Sequence, residues 1–394
     1  MTRRYRSIQS SRFIAVTAIY TILLLSKSTI AGTAGDTALA SSHWNGGVNL
    51  QVVEPFFQNN PAFYFLSARR VAAGDANFTV TDIQSQKDVS HDVDIAPEFF
   101  LGYVSESGLG FRTRYWFFDQ KTRQTAAAPQ TSVTDLTLSF PISSAAPIGL
   151  DIDTRDNNLR DSMTVETKLN TQIWDGIITK NYEVQNSVIV LGAGARYAYM
   201  SQQYNAFETQ EPGATLDIRM NPPVPQFITA HKKDLLSGHN FWGWGPVIMI
   251  EDTIPLGQSG FSLIGMARGS AVYGPAKQQA SKTLLVRGTQ NGNEILNENA
   301  FVQRKNRHQT VLEIIDAELG VAYSKKWGKG ELNGQLSVVA QEWIGGGSAS
   351  KSATTGAGFG LPGSGMTGAP QVAGVTSESN FGFVGGAFKL GYLY

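Results

Sequence analysis

Cysteine is absent from the chain's 394 residues, which excludes disulfides, redox motifs and thiolate metal sites. The absence suits a chain exported unfolded through an oxidising periplasm. An excess of either charge is also missing: 32 basic and 32 acidic side chains leave a formal net charge of zero, and nothing recommends nucleic acid as a partner. Histidine is sparse, and the five at 43, 91, 231, 239 and 308 have no metal-ligand spacing. There is no G-x-S-x-G elbow. The stretch Gly345–Gly365 follows a strand but lacks the lysine and helix of a phosphate-binding loop. No cofactor is implied.

Long hydrophobic runs are missing as well. Arg3, Arg4, Arg6 and Arg12 precede the apolar stretch Phe13–Leu25, and small residues follow. Residues 1–40 therefore read as a secretory signal, with cleavage after Ala31, Ala34 or Ala40. No later stretch approaches the ~18 apolar residues that a spanning helix wants. If residues 41–394 cross a membrane, they must do so as a closed sheet.

What is present is alternation. From His91 to Asp119, Val93, Ile95, Pro97, Phe99, Leu101 and Tyr103 take every second position, against Asp92, Asp94, Ala96, Glu98 and Gly102. Phe100 is the one large apolar residue on that second face. Ser105–Gly108 reads as a tight turn, with Gly108 able to take positive φ. Leu109, Phe111, Thr113, Tyr115 and Phe117 then alternate with Gly110, Arg112 and Arg114. Pairing that sets Phe111 near Leu101 brings Glu98 close to Arg114. Successive strand side chains point to opposite faces, so this hairpin has one greasy and one charged face. In a membrane barrel the first meets lipid and the second a wet lumen.

The same period recurs in Gly46–Glu54, Ser162–Trp174, Val188–Met200, Phe241–Asp252, Gly260–Gly274, Leu312–Tyr323, Leu332–Trp343 and Phe381–Tyr394. Further extended pieces are suggested at Ala62–Leu66 and around Leu136–Phe140. Connections are short at 105–108, 175–186, 253–259 and 324–330, and long at 55–90, 120–160, 201–240, 275–309 and 344–379. Sorting of this kind is expected of an outer-membrane barrel with short periplasmic turns and long extracellular loops. The predicted fold is an all-β, antiparallel, up-and-down transmembrane barrel of about ten strands, with up to fourteen admitted.

The charges assigned to the lumen are Asp92, Asp94, Glu98, Arg112, Arg114, Glu166, Lys168, Arg196, Glu251, Arg268, Asp316, Glu318 and Lys389. They are expected either to line a pore for small polar solutes or to form a salt-bridged plug bracing the wall. Trp242, Trp244, Trp343, Tyr392 and Tyr394 are assigned to the membrane interface. Parity points Trp116 and Trp174 inward, where core packing is the alternative.

Short glycine-aromatic patches carry a resemblance to a known family. They are Phe99–Tyr103, Gly110–Trp116, Gly194–Ala198, Gly243–Pro246, Ala267–Ser270 with Tyr273–Gly274, and Gln341–Trp343. Together they resemble the Legionella-type major outer membrane protein family, in its planctomycete-like version. The resemblance implies a pore-forming barrel of the bacterial outer membrane and supplies no catalytic residues. The cysteine cross-linking of some members has no counterpart here, and the last residue is Tyr394 rather than the commoner Phe.

The expected function is thus porin-like passive diffusion of ions and small polar solutes. The alternatives are a structural or adhesive surface barrel with a plugged lumen, or a barrel hydrolase using His239 beside Ser237. Expected partners are outer-membrane lipid, the solutes, the barrel-assembly machinery through the C-terminal strand, and a second copy of the chain.

Overall fold

The computed structural model describes residues 42–58, 60–70, 78–127, 137–143, 162–185, 187–209, 213–217, 224–290, 293–349 and 379–394. The expected signal lies outside them. The strands are β1 (His43–Phe57), β2 (Pro61–Arg70), β3 (Phe78–Asp88), β4 (Asp94–Val104), β5 (Leu109–Ala127), β6 (Thr137–Ser143) and β7 (Ser162–Val184). They continue as β8 (Ser187–Thr209), β9 (Gly213–Asp217), β10 (Val224–Pro255), β11 (Phe261–Gln290), β12 (Asn293–Trp327), β13 (Gly330–Ile344) and β14 (Phe381–Leu393). Ten of them close a ring in the order β1-β4-β5-β7-β8-β10-β11-β12-β13-β14, and β14 returns to β1. Every pairing is antiparallel, as predicted. The suggested piece at 62–66 falls in β2, and that around 136–140 falls in β6 from Thr137 on, residue 136 lying outside the described residues; both strands join β3 in a separate three-stranded sheet.

The register fixes the barrel's shape. One row of partners runs Ser324, Asn333, Gly391, Gly47, Phe100, Arg114, Asp175, Arg196, Gly245, and returns to β12 at Leu312, 12 residues from its start. For ten strands this displacement implies a tilt of roughly 40° and a width of about 20 Å between backbones. Inward side chains from opposite walls can meet across such a space.

Both ends of the described barrel and the tight turns near 105–108, 185, 256–260 and 328–329 share one rim. Gly108 does take the left-handed conformation, with φ 75°. The strand ends joined by the long connections share the other rim, in agreement with the alternation in the sequence. Two expectations fail. Most of the break proposed at 175–186 is continuous strand, since β7 runs to Val184 with Ile173, Asp175, Ile177 and Thr179 keeping the period of two, and only Gln185 beyond it is a described turn residue. The loops proposed at 201–240 and 275–309 contain much of β8, β10, β11 and β12, which run to 23, 32, 30 and 35 residues. Among the described side chains of these extensions, Gln203, Asn240, Lys277, Gln279, Lys305 and Arg307 face outward beside Leu236, so no continuous apolar stripe marks them.

The outer wall shows where lipid lies. Trp44, Phe261, Tyr323, Trp327, Tyr392 and Tyr394 are exposed near the short-turn rim. Trp174, Tyr197, Trp244 and Tyr273 form a second girdle, with Tyr197 and Trp244 rings 4.9 Å apart. Between the girdles the outward residues are apolar: Ile178, Leu191, Ile248, Leu319 and Leu336 are all exposed. Phe261 and Tyr273 are 12 residues apart on one strand, about 30 Å along the axis at this tilt, close to the ~25 Å height of a lipid-facing band. No described helix is long and apolar enough to cross a membrane.

Beyond the second girdle the wall reverses. Met163, Val165, Leu169 and Ile173 of β7 point inward and are buried, while Glu166 and Lys168 point outward. Water lies outside this part of the barrel, so apolar side chains find cover only within it. The interior here is a core of Phe118, Met200, Phe241, Leu312, Trp343, Phe381 and Phe383.

Candidate functional site in the barrel lumen

Inside the lipid-facing band, arginines and carboxylates from six strands converge. Arg114 donates from Nη1 to Glu98 at 2.7 Å, from Nη2 to Asp316 at 2.9 Å, and from Nε to Asp175. Arg196 donates from Nε to Asp175 Oδ1 at 2.7 Å and from Nη2 to Asp316 Oδ2 at 2.7 Å. Its Nη1 reaches Ser270 Oγ at 3.1 Å. Arg268 lies 3.7 Å from Asp316, 3.8 Å from Asp175 and 4.0 Å from Glu98. All six ionic side chains are under a tenth exposed. Three positive and three negative charges leave the cluster neutral, which a site of low dielectric requires.

β5 and β12 stand five strands apart in a ring of ten. The Arg114–Asp316 pair therefore runs across the barrel axis. A cavity of about 20 Å³ remains beside it, lined by Met266, Arg268, Glu318 and Gln341 among others, room for about one water.

Indole N–H groups tie the aromatic core to this layer. Trp343 Nε1 donates to Gln341 Oε1 at 2.8 Å, and Gln341 Nε2 donates to Asp316 Oδ1 at 2.7 Å. Trp116 Nε1 donates to Gln51 at 3.0 Å. Toward the short-turn rim, Arg112 pairs with Glu251 at 2.6 Å. Glu318 accepts from Gln335 and Ser337 at 2.6 and 2.7 Å, and Lys389 sits 4.6 Å above the ring of Phe100.

At the opposite end, Gly345–Ala349 leaves β13 and crosses the mouth. Gln202 of β8 donates to Gly347 O at 3.2 Å and accepts from Ala349 N at 2.9 Å. Ser237 of β10 donates to Ala349 O at 2.7 Å. β8 and β10 stand on the far side of the ring from the β13–β14 pair, so this strap spans the opening. Ser348 Oγ donates to Asn60, whose amide donates to His91 Nε2 at 3.2 Å, and His91 Nδ1 donates to Gln120 at 3.1 Å. His91 is thereby fixed as the neutral tautomer; burial lowers its pKa against the raising pull of Gln120 and nearby carboxylates. Burial, with His308 nearby, lowers His239 to about 4.

Of the residues predicted to face the lumen, Glu98, Arg112, Arg114, Arg196, Glu251, Arg268, Asp316, Glu318 and Lys389 do so. Glu98 meets Arg114 as expected, although Leu101 pairs with Thr113 rather than Phe111. Glu166 and Lys168 are corrections: they face outward water, against Arg123 at 3.5 Å and Asp119 at 3.4 Å. Asp92 lies before β4 and is exposed, and Asp94 at the strand's first position accepts from Ile95 N at 2.7 Å. Among the interface aromatics, Trp242, Trp244, Tyr392 and Tyr394 face outward. Trp343 does not: it shares the inward parity of Gln341 and is fully buried. Trp116 is inward as expected, but Trp174 is outward and 54% exposed, because parity on β7 is opposite to that assumed. Asp175 was hidden by the supposed break, though the unbroken period of two through Ile173 and Ile177 places it inward. The hydrolase pair is not assembled, since the Ser237 hydroxyl donates to the strap and not to His239.

A closed ten-stranded antiparallel sheet, apolar outside between two aromatic girdles and ionic within, defines a β-barrel of the bacterial outer membrane. The family described as Legionella pneumophila major outer membrane protein precursor matches residues 41–394. The chain belongs to that family. No curated protein matches the chain. Among solved structures, the outer membrane protease OmpT of Escherichia coli is similar with TM-score 0.38 and 8% identity over 93% of this chain and 99% of that one. A FadL homologue of Pseudomonas aeruginosa is similar with TM-score 0.23 and 9% identity over 90% of each chain. Likenesses of this strength do not bear on what the chain does.

Proposed function

We propose that the protein is a closed-lumen outer-membrane barrel that braces the membrane and holds a tall extracellular wall, without catalysis of its own. One observation carries the reading: Arg114 and Asp316 join across the axis from opposite walls. The aromatic core above them and the strap across the mouth support it further. Porin-like diffusion of small polar solutes is the competing reading. It requires the ionic layer, the core and the strap all to part.

Planar-bilayer recording of the folded protein decides between the two. Closed barrels are expected to give silent membranes despite verified insertion. Replacing Arg114, Asp316 and Trp343 together with glycine should introduce steady ohmic steps in whatever fraction still folds. Steady steps from the wild-type barrel would overturn the closed-lumen reading in favour of the pore.

A further inference from the structure

Just beyond the second girdle, the outer face of β10, β11 and β12 carries a group of cations that the lumen does not explain. Lys277 of β11 is paired in register with Arg307 of β12, and Gln279 with Lys305. All four residues have outward parity, with Lys305 and Arg307 exposed and Lys277 half-buried. Like charges directly opposite on one face of a sheet repel, a cost that a bridging anion would relieve. Among the described residues no carboxylate pairs with any of the three. The basic residues on the other side of the barrel differ in this respect, because Arg123 and Lys168 already have Glu166 and Asp119.

Two neighbours shape the patch. The Arg307 guanidinium carbon lies 5.9 Å from the centre of the Trp242 ring, so the arginine reaches across β11 to the edge of the aromatic girdle. Asn240, paired in register with Lys277, accepts from Ser201 Oγ at 2.7 Å through its Oδ1. That bond orients the amide and leaves its two N–H donors for a ligand. Lys277 sits 4 residues beyond Tyr273 on the same strand, about 10 Å further from the membrane centre at this tilt. This is headgroup depth, on the side of the long connections.

We propose that Lys277, Lys305 and Arg307, with the Asn240 amide, bind the phosphorylated headgroup of an outer-leaflet glycolipid. Trp242 and Tyr273 would flank its sugar and the start of its acyl chains. Planar guanidinium, two ammonium groups and an amide donor suit a phosphate monoester on a saccharide.

The test uses the full folded barrel in detergent, titrated with diphosphoryl lipid A and read by native mass spectrometry. Dephosphorylated lipid A and inorganic phosphate serve as separate probes. The triple variant Lys277→Gln/Lys305→Gln/Arg307→Gln is expected to lose at least tenfold in affinity for diphosphoryl lipid A. The triple variant Lys121→Gln/Arg123→Gln/Lys168→Gln should change it less than twofold. Heat-modifiable migration on gels reports whether each variant is folded. Equal losses in the two variants, equal binding of the dephosphorylated lipid, or no binding by the wild type would each overturn the proposal. Displacement of the lipid by inorganic phosphate at equal concentration would reassign the patch to a free anion and also overturn it.

Discussion

Along β7 the same strand is built to two opposite plans. Between the girdles, Trp174 and Ile178 face outward and Asp175 faces inward into the ion cluster. Beyond them, Lys168 and Glu166 face outward, and Leu169, Val165 and Met163 face inward. Nothing in the backbone marks the change. What changes is the medium against the outer wall, from acyl chains to water. Inward charge is tolerable at membrane depth because the six ionic groups neutralise one another there. Inward hydrocarbon is demanded above it because nowhere else is dry.

Four measurements sharpen that contrast. The largest effect is expected from Asp316→Ala, which strands Arg114, Arg196 and Arg268 in a buried layer. A loss of about 3–5 kcal/mol of unfolding free energy in urea, measured in vesicles, is the expected result. A loss below ~1 kcal/mol would mean that water already fills the layer. Next comes a matched pair on the outer face of β10. Ile248→Arg, inside the lipid-facing band, should cost roughly 2–4 kcal/mol, and Leu236→Arg, beyond the girdle, less than about 0.5 kcal/mol. Equal costs would move the membrane boundary.

Third is acidification. His239 is neutral when folded, with a pKa of about 4 against 6.5 for an unperturbed histidine. Above pH 6.5 both folded and unfolded states are neutral and nothing is at stake. As pH falls through 6.5 the unfolded chain takes the proton and the folded one does not, so stability drops, by about 2 kcal/mol at pH 5. His239→Gln should remove that part of the pH slope, whereas His308→Gln should leave most of it. The smallest effect is reserved for Lys168→Ala and Glu166→Ala, each within about 0.5 kcal/mol of wild type, as exposed pairs usually are.

The reversal also explains how far the sequence could be read. At membrane depth the alternation of Phe99 to Tyr103 and of Leu109 to Phe117 was enough to assign strands, faces and the Glu98–Arg114 contact. Above that depth the rule "apolar outside" no longer applied, and it placed Glu166, Lys168 and Trp174 on the wrong side. Extended strands such as the upper part of β11 carry Lys277, Gln279 and Ser281 outward and small or polar Ala276, Gln278 and Ala280 inward, a pattern that reads as loop. The strap was invisible for another reason. Gly345, Gly346 and Gly347 offer no side chains to read, and their role rests on backbone groups meeting Gln202 from across the barrel.

Closure by β1 against β14 carries a consequence for how the molecule comes into being. Asn45 meets Leu393, so the seam joins the two extremities of the described chain. Every other pairing in the ring joins strands nearer to one another in the sequence and can zip progressively as the sheet grows. This one must wait until the rest of the sheet has formed at the membrane, and until then two raw strand edges stay open to any passing chain. Shortening the C-terminus by even half a strand should leave an open, adhesive ribbon rather than a smaller cylinder.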